Sequence, residues 1–186
     1  EYYANSKRIL FEGNGYSDEW VDEAARRGLS NIKSSPEALA IYVQPESLSL
    51  FERTGVMNHA EVESRYEIEL EKYIKNVQIE SRVMGDLAMN HVVSTALKYQ
   101  NKLAETARNL VELGMSAEAE PIKDILREIS TRVLVIKKGV EAMIESRKKA
   151  NNVGDTVERA RLYATEVKDH FEIIRYEVDK LEEIVD

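Results

Sequence analysis

The sequence predicts an all-α fold in which short helices precede one long helix and an up-down-up antiparallel helical bundle. Three observations lead to this reading. Only 8 Gly and 3 Pro interrupt the 186 residues, and Leu, Ile, Val, Ala, Glu, Lys and Arg fill the rest in proportions that long helices favour. Apolar residues recur at intervals of three and four through most of the chain, the spacing that lines one face of a helix. A hydrophobic content of 43% is enough for one helical domain, or for a small lobe plus a bundle, but not for two unrelated domains.

The elements come in order. Residues 2 to 11 read as the end of a helix stopped by Gly13-Asn14-Gly15, where glycine tolerates positive φ. Ser17 is the expected N-cap of a helix over Asp18 to Arg27, with Gly28 past its end and charges at both ends that suit the helix dipole. Ser35 and Pro36 open a brief helix that runs to Val43 and is ended by Pro45; a further short piece spans Glu46 to Arg53 and closes at Gly55. Asn58 with Glu61 three residues on forms a capping box for the next helix.

From His59 to Leu113 there is no proline and one glycine, Gly85, so a single helix of roughly 80 Å is expected, bent if anywhere at Gly85. Val62, Tyr66, Leu70, Tyr73 and Val77 make its first apolar stripe; Val83, Leu87, Val92, Leu97, Leu103, Ala107 and Leu110 make a looser second one. Gly114 ends it, and a second long helix runs from about Ser116 to Ala150, with Pro121 near its start and a seam of Ile129, Val133, Ile136, Val140 and Met143. After the turn Asn151-Asn152-Val153-Gly154, Asp155 and Glu158 make another capping box. The last helix carries Val157, Ala160, Ala164, Val167, Phe171, Ile174, Val178, Leu181 and Val185 on one stripe. Short connections at 114–116 and 151–154 make consecutive long helices antiparallel. The expected division is therefore a short-helix lobe over residues 1–58 and a long helix with a three-helix bundle over 59–186, with residues 59 to about 80 projecting beyond the bundle.

Charge and composition exclude several partners. The 34 acidic residues outnumber the 26 basic ones by 8, and the basic residues are interleaved with acids, so no phosphate-binding face and no nucleic acid partner is expected. The longest strongly apolar run, Val133 to Ile136, is far below the roughly 20 residues that span a bilayer. The absence of cysteine excludes disulfides and thiolate metal sites and weakly favours a reducing compartment, the cytoplasm. Glu1-Tyr2-Tyr3-Ala4 has neither an initiator methionine nor the basic and apolar segments of a signal peptide, which reads as a segment cut from a longer chain.

No residue set here promises chemistry, and no catalytic, cofactor-binding or metal-binding residue is assigned. The three histidines, His59, His91 and His170, stand outside every His-x-x-x-His or Glu-x-x-His spacing that would put two ligands on one helix face; a structural role is expected for each. Acidic neighbours such as Glu182-Glu183 lie on a helix rich in Lys and Arg and read as a solvated face. Gly13-Asn14-Gly15 lacks the Gly-Lys continuation and the preceding strand of a phosphate loop. Tyr2, Tyr3, Tyr16 and Trp20 cluster near the start; packing inside a small lobe is the favoured reading and a binding face the alternative.

The run Ile9-Leu10-Phe11-Glu12-Gly13-Asn14-Gly15-Tyr16-Ser17-Asp18-Glu19-Trp20 continues through Arg27-Gly28-Leu29-Ser30-Asn31, Pro36-Glu37-Ala38-Leu39, Ser64-Arg65-Tyr66-Glu67 and Gln78-Ile79-Glu80-Ser81-Arg82. It resembles the C-terminal part of type III glutamine synthetases, and the likeness weakens beyond about residue 110. The resemblance implies that this chain is the end of a catalytic domain plus the family's helical extension, serving oligomer assembly or regulation. It further implies a parent enzyme that ligates ammonia to glutamate with ATP and Mg or Mn, and partners consisting of the parent catalytic domain and other subunits of stacked hexameric rings. No cofactor is expected in this segment, and no catalytic residue of the family is matched here. In some relatives a tyrosine near the end of the catalytic domain is modified; Tyr16 lies in a comparable place, but packing beside the Gly13 to Gly15 turn is its expected role. The alternative is an independent helical-bundle interaction module whose likeness to the family is accidental.

Overall fold

The structure is a computed structural model that describes residues 2–7 and 10–185. Glu1, Arg8, Ile9 and Asp186 lie outside the described residues, including the Ile9 with which the family-like run begins. Among the described residues there is no strand. Nine α-helical pieces are described: α1 (Tyr2–Ser6), α2 (Asp18–Arg26), α3 (Ser35–Leu39), α4 (Pro45–Arg53), α5 (His59–Asp86), α6 (Ser94–Glu112), α7 (Ser116–Asn151), α8 (Thr156–Leu162) and α9 (Asp169–Glu182).

Local chemistry sets most of the ends. Ser17 caps α2 by accepting from the Trp20 N–H at 3.4 Å, and Gly28 comes next with φ of 74°. Asn58 accepts from the Glu61 N–H at 3.0 Å while the Glu61 carboxylate accepts from the Asn58 N–H at 2.8 Å, so the capping box of α5 is complete. Only half of the one expected at Asp155 forms. Asp155 accepts from the Glu158 N–H at 2.7 Å, but the Glu158 carboxylate turns to Arg161 at 2.6 Å instead. The first helix stops at Ser6 rather than running to residue 11. α3 starts at Ser35, one residue before the expected Pro36, with Ser34 as its flanking residue; Pro45 begins α4 rather than merely ending the helix before it, as suits a residue with no N–H to satisfy.

A spine of α5 and α6 runs unbroken from residue 59 to residue 112, roughly 80 Å at 1.5 Å per residue. Its irregularity does not fall at Gly85. A π-type segment, Leu87–Val93, links the two halves, and Gly85 lies inside α5 facing α7, where a Cβ would make an ordinary contact with Val140 Cγ1 at 3.4 Å. Wider turns change which residues face inward. Ala88, Val93 and Ala96 are buried, while Val83, Leu87 and Leu97 of the expected second stripe are exposed. The same correction applies to the last helix. A second π-type segment, Tyr163–Val167, closes through a bond from the Lys168 N–H to the Tyr163 carbonyl at 3.2 Å, so Leu162 and Tyr163 turn into the core and Val157 turns out.

Cross-links between side chains give the register. α7 returns along the spine, with Gln100 Nε2 donating to Ser130 Oγ at 2.6 Å near one end and Gln78 Nε2 donating to Asn151 Oδ1 at 3.2 Å at the other. The second π-type segment and α9 run antiparallel to α7, tied by Lys149–Glu166 at 2.8 Å and Arg132–Glu177 at 2.9 Å respectively. The three helices thus surround one core that contains Leu70, Ile74, Ile129, Ile136, Met143, Tyr163, Ile174 and Leu181.

One expectation about the layout is overturned. Residues 59–80 do not project free of the bundle, because α8 begins beyond the end of α7 and packs along α5, and α3 covers α5 as well. Val62, Leu70 and Val77 are consequently buried. The part left with two helices is the opposite end, where α6 and α7 meet at Gly114 with Leu113 76% exposed.

Two substitutions check this account by urea unfolding of the chain. Ile136→Ala, at a fully buried site of α7, is expected to cost about 2–5 kcal/mol, and Asn58→Ala about 0.5–2 kcal/mol through the lost cap.

Candidate functional site

Two buried residues of the bundle, Tyr163 and Ser81, join the half-buried Gln78 and Arg147 and the exposed Asn151 in one connected polar knot rather than a reactive constellation. Tyr163 donates its hydroxyl proton to Asn151 Oδ1 at 2.7 Å and accepts from Gln78 Nε2 at 3.1 Å. Close by, Ser81, buried to 1% exposure, donates to the Gln78 carbonyl at 2.9 Å and accepts from Arg147 at 3.3 Å. One helix turn places Gln78 and Ser81 on the same side of α5, and the second π-type segment swings Tyr163 toward them. Burial pushes the Tyr163 phenol above its ordinary range, with the bond from Gln78 opposing the shift in second place. Nothing in the knot is a nucleophile paired with a base, and no buried side-chain polar atom among the described residues lacks a partner. Its physical effect is to pin three helices in one register.

The other titratable residues singled out in the sequence are scattered. His59 lies 3.7 Å from Glu52 on the surface, His170 Nε2 sits 3.1 Å from Ser146 Oγ between α9 and α7, and His91 is exposed on the spine. Glu183 pairs with Lys180 at 2.8 Å, and Glu182 is exposed beside it. Among the described residues no three His, Asp or Glu side chains converge as metal ligands would.

Two surfaces stand out instead. The first is the lobe before residue 59, where among the described residues only Ala24 and Pro36 are buried. Its aromatic contacts are Trp20, with the Phe11 ring at 4.1 Å and the Arg27 guanidinium 5.8 Å from its own ring centre, and a looser stacked pair, Tyr42 and Phe51, with ring centres 6.3 Å apart. Tyr2, Tyr3 and Tyr16 are exposed, so three of the four aromatics do not form the expected lobe core, and Tyr16, 100% exposed, does not pack beside the Gly13 to Gly15 turn. Leu29, Ile32, Ile41, Leu50 and Val56 are exposed as well. Their pattern carried the signal: short helices with so few apolar residues cannot close around one another. The second surface is an apolar groove of about 780 Å³ between the spine and α9, lined by Ile79, Val83, Leu87, Phe171 and Val178 with charged residues at its edges. Sequence reasoning placed Val83 and Leu87 in the core because it could not foresee the π-type segment.

The knot generates two expectations. Tyr163→Phe should cost about 1–2 kcal/mol at neutral pH, since Gln78 and Asn151 lose their shared partner. Burial raises the phenols of Tyr66, Tyr73 and Tyr163, so the folded state holds these protons more tightly than the unfolded chain. The stability this contributes is complete below the usual phenol value of about 10 and is lost as pH climbs through the folded values. Urea midpoints measured from pH 8 to pH 11 should therefore fall at the alkaline end, and fall less steeply in Tyr163→Phe.

Comparison with known proteins bears on these surfaces. Residues 1–111 match the family described as the glutamine synthetase C-terminal domain. A glutamine synthetase of Bacteroides fragilis is 45% identical over 185 residues, covering 97% of this chain and 25% of that protein. One from Butyrivibrio fibrisolvens is 32% identical over 180 residues, covering 96% of this chain and 26% of that protein. A type-3 glutamine synthetase of Dictyostelium discoideum is 35% identical over 104 residues, covering 56% of this chain and 14% of that protein. The chain spans about a quarter of the length of the two bacterial relatives, and the likeness to them extends through the bundle, past residue 111. An accidental likeness is excluded. The chain belongs to the glutamine synthetase C-terminal domain family.

Proposed function

We propose that this chain is the non-catalytic C-terminal portion of a glutamine synthetase, in which the lobe before residue 59 lies against the catalytic portion and the bundle contacts another subunit of a homo-oligomer. One observation carries the proposal. The bundle has a core of its own, whereas the lobe has almost none and leaves Leu29, Ile32, Ile41, Leu50 and Val56 exposed. An apolar surface of that kind marks contact with another protein surface. The relatives named glutamine synthetase support this reading, since about three quarters of their length lies outside the part this chain matches.

In this reading the parent enzyme joins ammonia to glutamate through a γ-glutamyl phosphate, using ATP and Mg or Mn. The residues of this chain do not fit such a metal: no three acidic or histidine side chains converge among those described. The reaction is therefore assigned to the rest of the enzyme and no step is routed through this segment. Subunits stacked as hexameric rings, in the cytoplasm, complete the proposal. No helix among the described residues is long and apolar enough to cross a membrane.

The test separates interface from core. The triple variant Leu29→Glu, Ile41→Glu, Leu50→Glu should shift the stability of the isolated chain by no more than about 0.5 kcal/mol per site, because these positions are already exposed. In the full-length enzyme it should lower activity and the assembly mass measured by light scattering. Unchanged activity and mass would refute the lobe's proposed contact. Deletion of residues 81–186 from the full-length enzyme should reduce assembly size, and an assembly of undiminished size and activity would refute the role given to the bundle.

A further inference from the structure

The spine presents one continuous face from Glu69 to Leu87, since residues spaced by three and four along a helix lie on the same side. The first part of that face, Glu69, Lys72, Tyr73 and Asn76, lines a cleft with α3 and the 3-10 turn Ala40–Val43 after it, both of which pack on α5. One turn further on the cover ends and the groove opens. Ile79, Val83 and Leu87, at 53%, 50% and 50% exposure, form a ridge of every fourth residue. Phe171 and Val178 of α9 form the facing wall, and Ala88 and Ile174 are the buried floor. A ridge of this spacing on one helix accepts the groove of another, so the shape fits a further helix laid along the spine as α3 is.

Charge narrows what that helix is. The groove's edge carries three carboxylates, Glu80, Asp179 and Glu182, against one guanidinium, Arg175. Arg175 is already bound to Asp179 at 2.7 Å, which leaves the rim acidic. A second copy of this chain, with a net charge of −8, is a poor match for such a rim, because like charges brought together oppose association. We infer that the groove between the spine and α9 seats an amphipathic helix with an apolar face and a Lys/Arg flank, contributed by the portion of the glutamine synthetase polypeptide outside this chain. This rests on the proposed function, and the relatives, of which this chain covers 25% and 26%, have ample length to supply such a helix.

The full-length enzyme carrying a photoreactive benzophenone side chain at Val83 provides the test. Irradiation and then peptide mass spectrometry should give a cross-link to a segment outside residues 1–186 that contains Lys or Arg. Adding Leu87→Glu, which puts a charge into the apolar seam, should cut the yield about tenfold or more. Glu80→Lys with Glu182→Lys should cut it several-fold. Ile173→Glu, on another exposed position of α9, should leave it unchanged, and circular dichroism of each variant confirms that it is folded. A cross-link to a second copy of residues 1–186, or no cross-link at all, overturns the inference while leaving the enzyme assignment intact. Finding that the natural polypeptide has no sequence beyond these 186 residues overturns both.

Discussion

The fold depends on α7 burying two sides of one helix at once, against the spine and against α9. Ile129, Ile136, Val140 and Met143 all lie in the core, and Gly139 lets α9 come near. A Cβ at Gly139 would meet Ile174 Cγ1 at 3.0 Å, whereas one at Gly85 would make an ordinary contact with Val140 Cγ1 at 3.4 Å. Gly139 has no positive φ. It sits inside a helix, where glycine weakens the backbone by roughly 0.5–1 kcal/mol relative to alanine, and the compensation is closer packing of α7 on α9. Interiors are packed too densely for such contacts to be slack.

The two π-type segments answer the same constraint. A regular helix carries one apolar stripe, but the spine has to serve α8 and α3 in its first half and α7 and α9 in its second. Leu87–Val93 turns the inward face between those tasks. Tyr163–Val167 does the equivalent for the last helix, whose first turns pack on α5 beyond the end of α7 and whose later turns pack on α7 itself. The turned-in Tyr163 joins Gln78 and Asn151 where these three helices meet. A polar group at such a junction contributes modestly to stability and strongly to register, because a slip by one turn would leave buried donors unpaired.

Against this rigid body the lobe is a contrast. Its helices carry local start and stop signals, with Ser17 capping α2, prolines opening α3 and α4, and Gly28 and Gly55 at positive φ, yet among the described residues of the lobe only Ala24 and Pro36 are buried. Local chemistry is sufficient for the helices and insufficient for a core. The same holds for the open groove, where two well-formed helices present a ridge with no third helix on it. Both features agree with the proposed docking of this segment against other parts of a glutamine synthetase, the family to whose C-terminal domain the chain belongs.

Residues within a few positions of one another are enough to specify the helical class, the long spine, the antiparallel return at Gly114, and the caps at Ser17 and Asn58, so all of these were legible in the sequence. The family was legible too, from the runs around Gly13 to Trp20 and Gln78 to Arg82. The faces were not. Val83 and Leu87 match the periodicity of a core and are half exposed, while Leu162 and Tyr163 depart from the stripe and are buried. Residues 59–80, expected to stand free, are covered by α8 and α3. In each case the outcome turned on where a π-type segment fell and where one helix ended beside another. Those are properties of contacts between residues far apart in the chain, such as Gln78 with Tyr163, and a local pattern carries no record of them.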